Sequence, residues 1–77
     1  MYYMKEKLLE IINEIRSGNE LPKLVDINES MNLREDIGLN SFDLAELTVK
    51  IEDEYDIDIF ADGLVNTIGE VYTKLSN

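Results

Sequence analysis

Apolar residues recur at helical spacing over residues 2–16, at Met4, Leu8, Ile11, Ile12 and Ile15, while Lys5, Glu6, Glu10 and Glu14 take the other side. On a wheel turning about 100° per residue they form one stripe, which predicts an amphipathic helix. Ser17-Gly18-Asn19 ends it, with Gly18 suited to a left-handed C-terminal cap. Tyr2 and Tyr3 read as cover for the edge of a bundle. From Gly18 to Leu39 the period is lost, and Leu21-Pro22 excludes helix at Leu21. A connection this long must be pinned to a compact domain. Leu24, Val25, Ile27, Met31, Leu33 and Ile37 are the side chains available to do it, with Leu33 and Ile37 expected to tuck under the start of the next helix.

The period returns between Ser41 and Tyr55 with two apolar faces. Leu44, Leu47, Ile51 and Tyr55 fall together, with Thr48 beside them, as a core stripe. Phe42, Ala45 and Val49 gather on the opposite side, flanked by Asp43, Glu46, Glu52 and Asp53, so a small apolar patch with an acidic rim faces water. The start of this helix is well marked. Gly38 permits a turn with positive φ, and Asn40 is a good N-cap. Asp43 adds a carboxylate at the positive end of the helix dipole. Ser41 then occupies the first helical position with its hydroxyl outward.

Asp56-Ile57-Asp58-Ile59 alternates, placing both isoleucines on one side of an extended segment against the core. A short helical turn is expected around Ala61 to Val65, although Gly63 weakens it. Thr67-Ile68-Gly69-Glu70 has the form of a capping box, and Ile68, Val71, Tyr72 and Leu75 mark the buried face of a last helix. The pattern predicts one all-α domain over residues 1–77: a small four-helix bundle of three main helices and one short one, with a long loop between the first and second.

Composition narrows the function. The chain of 77 residues has no cysteine and no histidine, so disulfides, zinc clusters, a thiol nucleophile and the usual base near neutral pH are all unavailable. The formal net charge of −10 argues against nucleic acid as a partner. That charge is uneven. Residues 34–62 carry ten acids against Arg34 and Lys50, a net −8, and the remainder seven acids against five bases, a net −2. An acidic field centred on the two-faced helix steers basic proteins to it, and a patch with a polar rim marks an interaction surface. No apolar run approaches the roughly 20 residues of a membrane span, and the start MYYMKEKLLEII lacks the features of a signal peptide. The expectation is a cytoplasmic monomer.

The run from Asp36 to Leu47, DIGLNSFDLAEL, resembles the signature of the acyl carrier protein family, D-x-G-x-D-S-L followed by an acidic amphipathic helix. The likeness continues through EDEYDIDI, residues 52–59, and with the flanking helices covers nearly the whole chain. It implies that Ser41 carries a 4′-phosphopantetheine group taken from coenzyme A on a phosphopantetheinyl transferase, and that acyl groups ride on that arm as thioesters. It further implies that Asp43, Glu46, Glu52, Asp53 and Glu54 are acidic recognition positions and that Phe42, Ala45 and Val49 are apolar contacts. The implied partners are acyl-loading, condensing and acyl-transfer enzymes of fatty-acid or related lipid and polyketide-type biosynthesis. Two residues depart from the pattern: Asn40 stands where the family most often has Asp, and Phe42 where it most often has Leu. Asn40 keeps the capping role and removes a charge, while Phe42 enlarges the exposed anchor.

Read by itself, Ser41 has no neighbouring His, Lys or Cys to activate it, so it suits a substrate hydroxyl better than a nucleophilic catalyst. A serine after a cap residue also serves helix capping alone. A calcium-binding loop built from Glu52, Asp53, Glu54, Asp56 and Asp58 fails its template, because Phe60 and Ala61 fall where ligands or Gly belong, and no metal site is expected. An unmodified acidic adaptor would present the same docking face. A peptidyl or aminoacyl carrier is a further alternative, against which stand the strong negative charge and Gly38-Leu39-Asn40 before the serine.

Overall fold

The structure, a computed structural model, describes the backbone of residues 2–76 and the side chains of residues 4–76. The side chains of Tyr2 and Tyr3, expected to cover the bundle's edge, lie outside the described residues. Among the described residues three helices, α1 (Tyr2–Gly18), α2 (Ser41–Tyr55) and α3 (Ile68–Ser76), follow one another. Among the described residues the only ladder-type pairing is an isolated antiparallel bridge between Asn32 and Thr67.

Each helix forms where an apolar stripe can be buried. Leu8, Ile11, Ile12 and Ile15 of α1 meet Leu47 and Ile51 of α2 and Ile68, Val71 and Leu75 of α3 in one core. Met4, Leu44, Tyr55 and Tyr72 pack half-buried against it. A fully buried Leu or Ile contributes roughly 1.5–3 kcal/mol, so in so small a chain these stripes supply most of the driving force. Polar contacts at the margin of the core report the register of α1 against α2. Lys7 Nζ lies 3.5 Å from Glu54, and Lys50 Nζ 3.4 Å from Glu14. Asn19 Nδ2 lies 3.0 Å from Asp43. Rising numbers on α1 meet falling numbers on α2, so the two helices are antiparallel.

The long connection is pinned, by more than its apolar side chains. Ile27, Leu33, Ile37 and Leu39 are buried in the core, and Leu24 and Met31 partly so, but Val25 is 95% exposed and pins nothing. Two polar residues at the edge of the α1 stripe do the rest. Asn13 exchanges hydrogen bonds with the backbone of Leu24, Nδ2 to the carbonyl at 2.9 Å and the amide to Oδ1 at 2.8 Å. Arg16, itself buried, donates Nε and Nη2 to the Pro22 carbonyl at 3.0 and 2.9 Å and Nη1 to the Ile37 carbonyl. On the other flank Leu33 N donates to the Asn66 carbonyl at 2.8 Å, and Ile68 N and Gly69 N donate to Met31 and Glu29 at 3.0 Å each. The loop is therefore stitched to both outer helices before it reaches Gly38.

Two expectations are corrected. The short helix around Ala61 to Val65 is absent, so the described residues form three helices. In its place are two tight turns, Ala61 N to Asp58 O and Gly63 N to Phe60 O, each at 3.2 Å. Asp58 Oδ1 takes the Phe60 amide at 3.0 Å, a local bond that competes with helix, and Gly63 at φ 129° leaves helical space altogether. The second correction concerns the end of α1, where the helix runs through Gly18 and the left-handed residue is Glu20, at φ 61°. Glu20 N bonds Ser17 O at 3.0 Å and Leu21 N bonds Arg16 O at 2.9 Å, a Schellman closure. Placed there, the reversal brings the Pro22 carbonyl onto the Arg16 guanidinium. The Thr67 capping box forms as expected: Glu70 N donates to Thr67 Oγ1 at 3.2 Å and Thr67 N to Glu70 Oε1 at 3.1 Å.

Candidate functional site

The entry into α2 is set residue by residue. Gly38 turns the chain at φ 86°, a conformation that costs a side-chain-bearing residue about 1 kcal/mol or more. Leu39 anchors in the core, and Asn40 is extended at φ −93°, ψ −177°. Asn40 Oδ1 accepts the Asp43 amide at 2.8 Å, and Asp43 Oδ2 accepts the Asn40 amide at 3.0 Å. This reciprocal pair satisfies two of the donors that a helix start leaves open.

Asp43 is thereby corrected as a docking residue. It is 3% exposed, and the same Oδ2 also accepts Asn19 Nδ2 at 3.0 Å. Its carboxylate is spent on the cap and on the end of α1. The remaining predicted residues lie outward. Ser41 is exposed at the first helical position, Phe42 is 80% exposed and Val49 60%, and Ala45 is exposed between them. Together these four form a ridge along α2 opposite Leu47 and Ile51. Glu46 is half-buried beside it with Lys50 Nζ 4.0 Å away. Glu52 and Asp53 are exposed. Glu54 faces α1 and pairs with Lys7, whose ammonium is held above the ordinary lysine pKa by Glu10 first and Glu54 second. Among the described residues no group of three or more carboxylates gathers as a metal site.

Ser41 Oγ accepts a hydrogen bond from Arg34 Nη2 at 3.1 Å. In the sequence Arg34 enters only through the charge balance. A usable signal was present: a base amid acids, in the turn-forming run Asn32-Leu33-Arg34-Glu35-Asp36, seven residues before the serine. A guanidinium donates protons and cannot take one, so Arg34 does not make Ser41 a catalytic nucleophile. What the arrangement can do is hold an anion. A phosphodiester on Oγ would meet the positive end of a 15-residue helix and a guanidinium within hydrogen-bond reach. The residues present fit such a group.

A family model described as "Phosphopantetheine attachment site" matches residues 7–75. The chain belongs to that family. A solved structure from Mycobacterium tuberculosis, the protein Rv0033, described as a candidate acyl carrier protein, is similar over 95% of this chain and 95% of its own, with 26% identity and a TM-score of 0.71. No curated protein matches the chain. As a member of the phosphopantetheine attachment family, the protein is a carrier and its cofactor is a covalently bound 4′-phosphopantetheine. The three-helix fold agrees with that of the mycobacterial protein. Among the described residues no helix is long and apolar enough to cross a membrane.

Proposed function

We propose that Ser41 is the attachment residue and that the chain is an acyl carrier, holding acyl groups as thioesters for enzymes that load, condense and transfer them in fatty-acid or related lipid or polyketide-type biosynthesis. The observation that carries this reading is the exposed Ser41 Oγ at the first position of α2, inside the segment matched to the family. In the modification Ser41 Oγ attacks the phosphorus of coenzyme A that bears the pantetheine. A new O–P bond forms, the pyrophosphate bond to the adenosine half breaks, and the hydroxyl proton passes to a base on the transferase. The thiol that the arm supplies when bound takes the acyl group.

Phe42, Ala45 and Val49 are the apolar contact of the docking face, and Glu46, Glu52 and Asp53 its acidic rim, with Glu54 at the edge against α1. The net −8 of residues 34–62 supports partners with basic docking surfaces, approached as a monomer in the cytoplasm. The same charge, with Gly38-Leu39-Asn40 before the serine, favours a free-standing acyl carrier over a peptidyl carrier. Incubation with coenzyme A, Mg²⁺ and a broad-specificity phosphopantetheinyl transferase, followed by intact-protein mass spectrometry, tests the proposal. The wild type should gain one phosphopantetheine and Ser41→Ala none. A wild type that several transferases leave bare would favour an unmodified acidic adaptor.

A further inference from the structure

We infer that Arg34 is the positioning residue of the arm, pairing with the phosphodiester once Ser41 is modified and fixing the direction in which the arm leaves the protein. The inference rests on Ser41 as the attachment residue. Residues 34–62 contain two bases among ten acids. Lys50 is committed to α1 and α2, 3.4 Å from Glu14 and 4.0 Å from Glu46. Arg34 has no carboxylate within ion-pair distance among the described residues; its partner is the neutral Ser41 hydroxyl. A cation held in so acidic a segment and paired with a neutral oxygen is an unused charge. A phosphodiester on that oxygen presents two anionic acceptors, which a guanidinium fork matches better than any other side chain does.

The backbone of Arg34 is held in place for this. Its amide and that of Glu35 donate to Asn32 Oδ1 at 2.8 and 2.9 Å. Asn32 N donates to Asp36 Oδ2 at 2.7 Å, and Ile37 N to Asn32 O at 3.0 Å. Arg34 therefore reaches Ser41 from a closed turn and not from a free strand of loop. Modification adds a negative charge to a segment already at net −8, and Arg34 is the base placed to offset it. In the unmodified protein the same contact occupies a lone pair of Oγ and leaves the O–H free to point outward.

The test compares wild type with Arg34→Gln, which keeps a hydrogen-bond donor without the charge, and with Arg34→Lys. All three are converted with coenzyme A and the transferase, and the mass of each is checked first. A wild type that gains no phosphopantetheine overturns the attachment reading itself, and is recognised by mass before Arg34 is in question. On the modified proteins, ³¹P NMR reads the phosphodiester. The wild-type signal should differ in chemical shift from that of Arg34→Gln, relax faster, and move toward the variant's position as NaCl is raised. The gain in melting temperature on modification should be smaller in Arg34→Gln by about 1–4 °C, the scale of an exposed ion pair in a small domain, with Arg34→Lys between. Identical ³¹P shift and relaxation in wild type and Arg34→Gln, with equal melting differences, would overturn the inference.

Discussion

Asn19, just past α1, donates its side-chain amide to Asp43 at 3.0 Å, so the carboxylate that closes the cap of α2 also ties the two antiparallel helices together at the end where Ser41 stands. The position of the serine is thus a tertiary property, fixed by the far end of the preceding helix. Asp43→Ala removes the acceptor of both Asn19 Nδ2 and Asn40 N and should cost about 1–3 kcal/mol in urea denaturation. A loss below about 0.5 kcal/mol, the level of an ordinary surface change, would contradict this placement.

The two faces of α2 predict opposite behaviour for adjacent residues. Leu47 is fully buried, and Leu47→Ala should destabilise by roughly 2–5 kcal/mol. Glu46→Lys, on the rim, should leave the melting temperature nearly unchanged and slow association with a basic partner enzyme, most strongly at low salt. Thermal melts and stopped-flow binding of the two variants separate these effects; the reverse ranking would contradict the assignment of faces.

Glu20 carries the left-handed turn after α1 without being glycine. Glu20→Gly should therefore raise stability by about 0.5–1 kcal/mol, since glycine enters that conformation freely. An increase in the denaturation midpoint at unchanged slope would bear this out, and a decrease would mean that the Glu20 side chain supports the turn.

Asp26 titrates below the ordinary carboxylate value, chiefly through its contact with Lys5 at 2.9 Å and then through the Ile27 amide. A carboxylate lowered in the folded state stabilises fully above its unfolded pKa of about 4, and that contribution disappears as pH falls through the lowered value. An NMR titration of Asp26 should show its midpoint rising in Lys5→Gln. A midpoint that does not move would assign the shift to the backbone amide alone.

The helical stripes and caps were legible because their causes are local. Leu8, Ile12, Leu47, Ile51, Ile68 and Val71 follow helical spacing and are buried, and Asn40 and Thr67 cap the helices they precede. The outward ridge of Ser41, Phe42, Ala45 and Val49 was legible for the same reason. What was hidden depends on which segments meet. Asn13 and Arg16 look like the polar margin of a helix until Leu24, Pro22 and Ile37 come within reach. Arg34 looks like a surface base until the turn at residues 32–36 carries it to Ser41. Asp43 turns inward on a signal that is local: Asn40 and Asp43 have the spacing of a reciprocal cap, which draws the carboxylate to the helix start. Ala61 to Val65 failed as a helix because Asp58 and Gly63 close turns there at short range.

Of the four serine hydroxyls of the chain, on Ser17, Ser30, Ser41 and Ser76, one is proposed to carry the arm. Proteolysis of the coenzyme A-modified protein and fragmentation of the arm-bearing peptide locate it directly. The phosphopantetheine should be found on Ser41 in every modified molecule. Its appearance on Ser17, Ser30 or Ser76 instead would contradict it.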